Sequence, residues 1–305
     1  MSIRKSIGIL SIFVFILYFS GCQKENNKIK DDDKVYETLV QRNENYGLKK
    51  EDTCKSIFKC DISKISETVI LAPTWEPEIF KNHVSSINKI SGPTGHGFTL
   101  YELTQNNQSV TYITIGIGAC NLIDAVLALG QTNCKEIIFI GANGSLDETI
   151  KIGDIMIPEY SICGVGADRY LCIDNLKNND CFGKKYYPDS KLLDQIKNIT
   201  NQEIENTDIK SYPAYNYSCD TIYAEYAHLE EIINMGCNSI EMETATLFHT
   251  ANIVGIKSVA IFGVSDNTLA KKSLYSDRTS DDSERRTNVK NNIIPKIVLQ
   301  LSSIT

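Results

Sequence analysis

EIIFIGANG, residues 136–144, runs apolar from Ile137 to Ile140 and then meets a pair of glycines, and that combination decides the fold class. A strand covered on both faces reads as a continuous Val/Ile/Leu-rich run, whereas a half-exposed strand alternates. Working outward, comparable runs are TVILAP (68–73), VTYITIGIG (110–118), GDIMIPE (153–159), NSIEME (238–243) and SVAIFGVSD (258–266). Between them lie segments with helical spacing at 78–90, 120–131, 190–200, 226–236 and 244–255, and a last one at 281–303 interrupted by Pro295. Strands alternating with helices predict an α/β protein folded as one compact domain, with helices flanking a sheet. An irregular stretch, GVGADRYLCIDNLKNNDCFGKKYYPD (164–189), is long enough to lie over a site.

The N-terminus differs in kind. MSIRKSIGILSIFVFILYFSGC has a basic start, an apolar run of export-signal length and small residues before a cysteine. Its FSGC ending resembles the lipobox of bacterial lipoproteins. That resemblance implies a signal peptide over 1–21, lipidation at Cys22, a tether over 22–64 and a folded domain over 65–305. It also implies an extracytoplasmic protein held to a bacterial membrane by acyl chains. CKSIFKC places Cys54 and Cys60 close enough for a small disulfide loop. The cysteines show no zinc spacing and the histidines are scattered, so neither a metal nor a cofactor is expected. A formal net charge of -7 without a basic block excludes a nucleic-acid partner.

In open α/β sheets, ligands collect beyond the carboxyl ends of strands. GIG (116–118) and GANG (141–144) open such ends with glycines, whose backbone N–H groups can face a sugar or an anion. The run GVSD brings Ser265 and Asp266 to a third strand end, and EME brings Glu241, Met242 and Glu243 to a fourth. Two carboxylates from separate strand ends suit acid/base chemistry if their surroundings separate their pKa values. Glu241 reads as an exposed or structural acid, and His249 as packed in the helix that follows.

IEMETA (240–245) and GVSD (263–266), preceded by IGIG (115–118) and FIGANGSLDETIKIGDIMIPE (139–159), together resemble the nucleoside phosphorylase superfamily. This superfamily comprises purine nucleoside phosphorylases, uridine phosphorylases and methylthioadenosine/S-adenosylhomocysteine nucleosidases. The likeness spans Thr68 to the C-terminal helix. It implies a mixed sheet partly closed into a barrel, a homo-oligomer and a small-molecule nucleoside partner. By that resemblance Glu243 holds the ribose hydroxyls, Met242 packs under the sugar and Asp266 protonates N7 of a departing purine. Arg285 assists Asp266, Tyr223 and Ile222 in SCDTIY wall the base, and Ser265, Gly116, Gly118 and Gly141 complete the binding surface.

The phosphate-binding arginines of such phosphorylases are missing. Phe139 and Ala142 stand where Arg and Ser are usual, and neither APTWEPEIF (72–80) nor GPTGHGFT (92–99) contains arginine. Arg169 in the irregular stretch is the alternative cation for phosphate. The resemblance therefore implies hydrolysis with Glu78 activating water, or Glu76 in its place. Phosphorolysis at an atypical phosphate site, and a non-catalytic nucleoside-binding protein, both stay open.

Overall fold

The computed structural model describes residues 34–173, 176–177 and 180–304. The signal segment and Cys22 lie outside the described residues. The elements in chain order are α1 (34–44), α2 (Lys50–Ile57), β1 (Thr68–Ala72), β2 (Ser86–Ser91), β3 (Thr99–Gln105), β4 (Gln108–Thr114), α3 (Ala119–Leu129), β5 (Glu136–Ser145) and β6 (Ile155–Gly164). They continue with β7 (Lys185–Tyr186), α4 (Ser190–Ile204), β8 (Ser211–Cys219), α5 (Ile222–Glu225), α6 (Leu229–Asn234), β9 (Ser239–Glu241), α7 (Thr244–Val254), β10 (Lys257–Asn267), α8 (Ser280–Asn288) and α9 (Ile294–Ile304).

The sheet runs β10-β6-β8-β9-β5-β1-β4-β3-β2, and β10 also pairs with β5. That extra pairing closes β5, β10, β6, β8 and β9 into a ring, so one end of the sheet is a small barrel and the other an open extension whose outer strands, β4, β3 and β2, pair antiparallel. Parallel pairs β1–β4, β1–β5 and β5–β10 align the carboxyl ends of the central strands.

Alternate residues of β5 serve two cores, as a pleated strand covered on both faces requires. Ile138 and Ile140 join Ile196 of α4 and Ile297 of α9, while Ile137 and Phe139 join Leu122 of α3 and Leu247 of α7. The apolar run that decides the fold class is therefore the partition between two cores. Helix α7 ends at Gly255, whose φ of 73° is the left-handed C-terminal turn that glycine takes without steric cost.

Three expectations need correction. The helix expected over 78–90 is instead a 3-10 turn, Pro77–Phe80, followed by β2, which pairs antiparallel with β3. Its apolar residues satisfy either period, and pairing with β3 decides for the strand. The stretch read as a tether folds as α1 and α2 against the domain. The Tyr36 hydroxyl donates to the Leu127 carbonyl at 2.8 Å, and Cys54 and Phe58 are fully buried beside Phe98. Its charged composition hides a short apolar stripe, Val35, Tyr36, Leu39 and Val40, at helical spacing. Cys54 and Cys60 lie side by side as thiols, since none of the nine described cysteines forms a disulfide. At the other end, Pro295 follows a π-helical turn, Val289–Ile293, which absorbs the missing proline N–H.

Candidate active site

The strand ends enclose a cavity of about 230 Å³ lined by Thr74 after β1, Ile117 after β4, Gly144 of β5, Met242 after β9 and Asp266 of β10, among others. That volume lies just below the ~300–1,000 Å³ of drug-sized sites and is of nucleoside scale.

The two glutamates at the end of β9 divide the work. Glu241 Oε2 accepts from the N–H groups of Glu243 and Thr244, each at 2.8 Å, and Glu241 Oε1 accepts from the hydroxyls of Ser218 and Thr244. Glu241 thus satisfies the first free N–H groups of α7 and holds the strand-to-helix corner. With that task taken, Glu243 faces the cavity, and its Oε1 accepts from Gly118 N–H at 2.7 Å. Gly118 presents this N–H at φ 101°, a conformation that few other residues adopt. Burial, and then the neighbouring Glu241 charge, push the Glu243 carboxyl up to about 8.

Asp266 sits where β10 carries a bulge between Val264 and Asp266, a device that re-aims a side chain at a strand end. Ser265 donates to Asp266 Oδ1 at 2.6 Å and to the Asn143 carbonyl at 3.1 Å. Burial raises the Asp266 carboxyl to about 6, against the opposing pull of the Ser265 hydroxyl, Arg278 and Arg286. Gly144 is the neighbour that permits this placement, because a Cβ there would meet Asp266 Oδ2 at 3.1 Å.

The structure brings Glu243, Met242, Ile222, Ser265 and Asp266 to one cavity, with Gly118 behind Glu243. The other nominated residues lie elsewhere. Arg285 turns away from the cavity into a buried cluster, donating through Nη2 to Asp154 Oδ1 at 2.9 Å, through Nη1 to Asp208 and through Nε to the Ile152 carbonyl at 3.2 Å. Its neighbour Arg286 lines the cavity instead. Tyr223 is 83% exposed and faces out. Glu78 and Glu76 are exposed on the turn after β1 and do not line the cavity, and Arg169 is exposed on the far loop. Gly141 packs between Phe262 and Pro73, and Gly116 lies against Asn121.

Glu225 is the acid that sequence reasoning missed. It lines the cavity, approaches Cys219 Sγ at 2.9 Å, and burial raises its pKa. The available signal was its i, i+3 spacing from Ile222, which puts both on one helix face and turns Tyr223 off it.

Arg285 carries a stability prediction. Asp154 is 1% exposed, and removing its guanidinium partner leaves a buried charge held only by the N–H groups of Lys151 and Lys210. Arg285→Met is expected to destabilise the fold by about 3–5 kcal/mol in denaturant titrations. A loss under 1 kcal/mol contradicts the structural assignment.

Comparison with known proteins matches a family described as the Phosphorylase superfamily over residues 69–296. The chain belongs to this family. Among sequence relatives of the phosphorylase-superfamily chain, a DeoD-type purine nucleoside phosphorylase of Bacillus velezensis is 25% identical over 215 residues, covering 68% of this chain and 84% of the relative. A second, from Buchnera aphidicola, is 27% identical over 201 residues, covering 65% and 76%. In fold the chain is similar to uridine phosphorylase of Vibrio fischeri, with TM-score 0.65, 19% identity and 80% and 94% of the two chains covered. It is likewise similar to AMP nucleosidase of Bacteroides thetaiotaomicron, with TM-score 0.62, 17% identity and coverage of 84% and 96%. Family membership makes this an enzyme fold, and the cavity lies at the carboxyl ends of its central strands.

Proposed function

We propose that this chain cleaves the N-glycosidic bond of a purine nucleoside and that water is the attacking group. The observation that carries the cleavage reading is the convergence of Glu243 and Asp266 on one cavity, where burial raises both carboxyls. Bond breaking places positive charge on the ribose and negative charge on the base. Asp266 protonates the base and so makes it a better leaving group. Glu243, ionised in the reacting pair, accepts from the ribose hydroxyls and faces the positive charge that develops on the sugar, while water adds to the anomeric carbon and its surplus proton restores the acid form of Asp266. Met242 supplies an apolar floor.

Water is favoured over phosphate by the charge of the lining. Glu225, Glu241, Glu243 and Asp266 face a single lining cation among the described residues, Arg286. A dianion is held by several convergent guanidinium or N–H donors, and here the carboxylates outnumber them. Phosphorolysis has its own support, because Arg278 and Arg286 both stand near Asp266 and the sequence relatives above are named phosphorylases.

The deciding experiment incubates the described domain with inosine, adenosine and methylthioadenosine, with and without phosphate, and follows free base and free sugar. Free ribose at a rate indifferent to phosphate is expected. Strict phosphate dependence with ribose 1-phosphate as product replaces the hydrolytic reading, and binding without release of base in either condition overturns cleavage.

We further propose that the full chain is anchored outside the cytoplasm through Cys22, on the strength of the lipobox-like FSGC ending, and that it is a homo-oligomer, on the strength of its family. Cys22→Ser is expected to move the protein from the membrane fraction to the soluble fraction. An unchanged distribution on cell fractionation counts against the anchor.

A further inference from the structure

Away from the cavity, four side chains of metal-ligand type, Cys163, Asp168, Cys181 and His249, lie close together. Cys163, near the end of β6, donates its N–H to the Lys184 carbonyl at 2.9 Å and accepts from Gly183 N–H at 2.8 Å, so the chain returning into β7 lays Cys181 beside it. The 3-10 turn Ala167–Leu171 contributes Asp168, and α7 contributes His249. One donor atom each from Asp168, Cys181 and His249 lie within 4.8 Å of one another, and the Cys163 thiol is hydrogen-bonded to Asp168. Asp168 and Cys163 are fully buried and Cys181 is 3% exposed.

We propose that Cys163, Asp168, Cys181 and His249 form a binding site for one divalent transition metal of the zinc type. Two thiols, an imidazole and a carboxylate make a mixed sulfur, nitrogen and oxygen set that suits Zn²⁺, whereas Mg²⁺ and Ca²⁺ take oxygen ligands. The surroundings already orient the donors as outer-shell partners of metal ligands do. Thr246 donates its hydroxyl to Asp168, Tyr186 stacks on the His249 ring at 4.2 Å and 14°, and Tyr186 is hydrogen-bonded to Cys181. His249 Nδ1 pairs with Asp168 Oδ2 at 2.9 Å, while the two thiols make long contacts, Cys163 Sγ to the Val165 carbonyl at 3.6 Å and Cys181 Sγ to the Asp168 carbonyl at 3.9 Å. Coordination displaces the thiol protons to solvent. The bound metal ties Asp168 and Cys181 to α7, whose N-terminal corner carries Glu241 and Glu243. Residues 163, 168, 181 and 249 are too dispersed for any zinc spacing to show in the sequence.

The test is a titration of the reduced, metal-free full-length chain with Co²⁺, followed by displacement with Zn²⁺. One equivalent of cobalt with thiolate-to-cobalt charge-transfer absorption is expected, as is a rise in unfolding temperature when zinc is added. Cys181→Ser is expected to abolish the charge-transfer band or weaken it at least tenfold. Thr246→Val, which removes only an outer partner, should lower affinity about 10–100-fold. Cys120→Ser, at an exposed thiol on α3, should change nothing. Absence of a thiolate–cobalt band in the wild-type chain overturns the site without reference to any variant, and so does a band that survives Cys181→Ser.

Discussion

Asp266→Asn is expected to lower turnover of purine nucleosides about 10²–10⁴-fold while leaving nucleoside binding largely intact. General acid catalysis by a placed side chain contributes about that much. Asparagine keeps the shape of the side chain and can still meet Ser265, which donates to Asp266 Oδ1 at 2.6 Å, but it delivers no proton to the base. The measurement is kcat under saturating inosine together with a dissociation constant from equilibrium binding. Undiminished kcat removes the acid assignment. Loss of binding with kcat preserved makes Asp266 a recognition group instead.

Glu243→Gln carries the second large effect, expected at about 10²–10³-fold in kcat/KM, the scale for losing one oriented electrostatic partner of a transition state. In the empty cavity at neutral pH the carboxyl, held up to about 8, is mostly protonated, so glutamine reproduces its resting form and its bond from Gly118. The variant loses the capacity to ionise beside a cationic ribose, so the loss falls on kcat more than on ground-state affinity. The wild-type kcat/KM should follow a bell with limbs near about 6 and about 8, because the competent pair holds one proton, on Asp266, while Glu243 is ionised. Asp266→Asn should keep only a rise through the upper value, and Glu243→Gln only a fall through the lower one. A profile identical in all three proteins contradicts the pairing of roles.

Much of this site was legible because its information is local. A strand that ends in a carboxylate, a glycine or a Ser-Asp pair delivers that residue to the sheet's carboxyl edge whatever the rest of the chain does, so Glu243, Met242 and Asp266 could be nominated from position alone. Reading failed where one residue of helix phase decides the outcome. Arg285 and Arg286 differ by about 100° around α8, and Gly153 lets Arg285 dock, since a Cβ at Gly153 would fall 2.6 Å from Arg285 Cβ. Tyr223 and Glu225 present the same problem on α5, which is only four residues long. Glu78 was placed by its offset from β1, and the 3-10 turn that follows turns it to solvent.

Long-range pairing was beyond the sequence altogether. Nothing local in Lys257–Asn267 announces that β10 will pair with both β5 and β6 and close the barrel. The same holds for the docking of α1 and α2, where Tyr36 meets a carbonyl 91 residues away. The phosphate question sits between these cases. The absence of arginine at 139 and of serine at 142 is legible, and the carboxylate-rich lining with Arg286 at its edge emerges only once five strand ends are assembled.

A crystal structure of the domain with a purine C-nucleoside, whose bond to the sugar resists cleavage, tests the whole proposal at once. The expected result has the Glu243 carboxylate within hydrogen-bond reach of the ribose hydroxyls and Asp266 within reach of N7, on either side of the bond to be broken. A nucleoside seated in the cavity with its sugar away from Glu243, or with its base turned from Asp266, contradicts it.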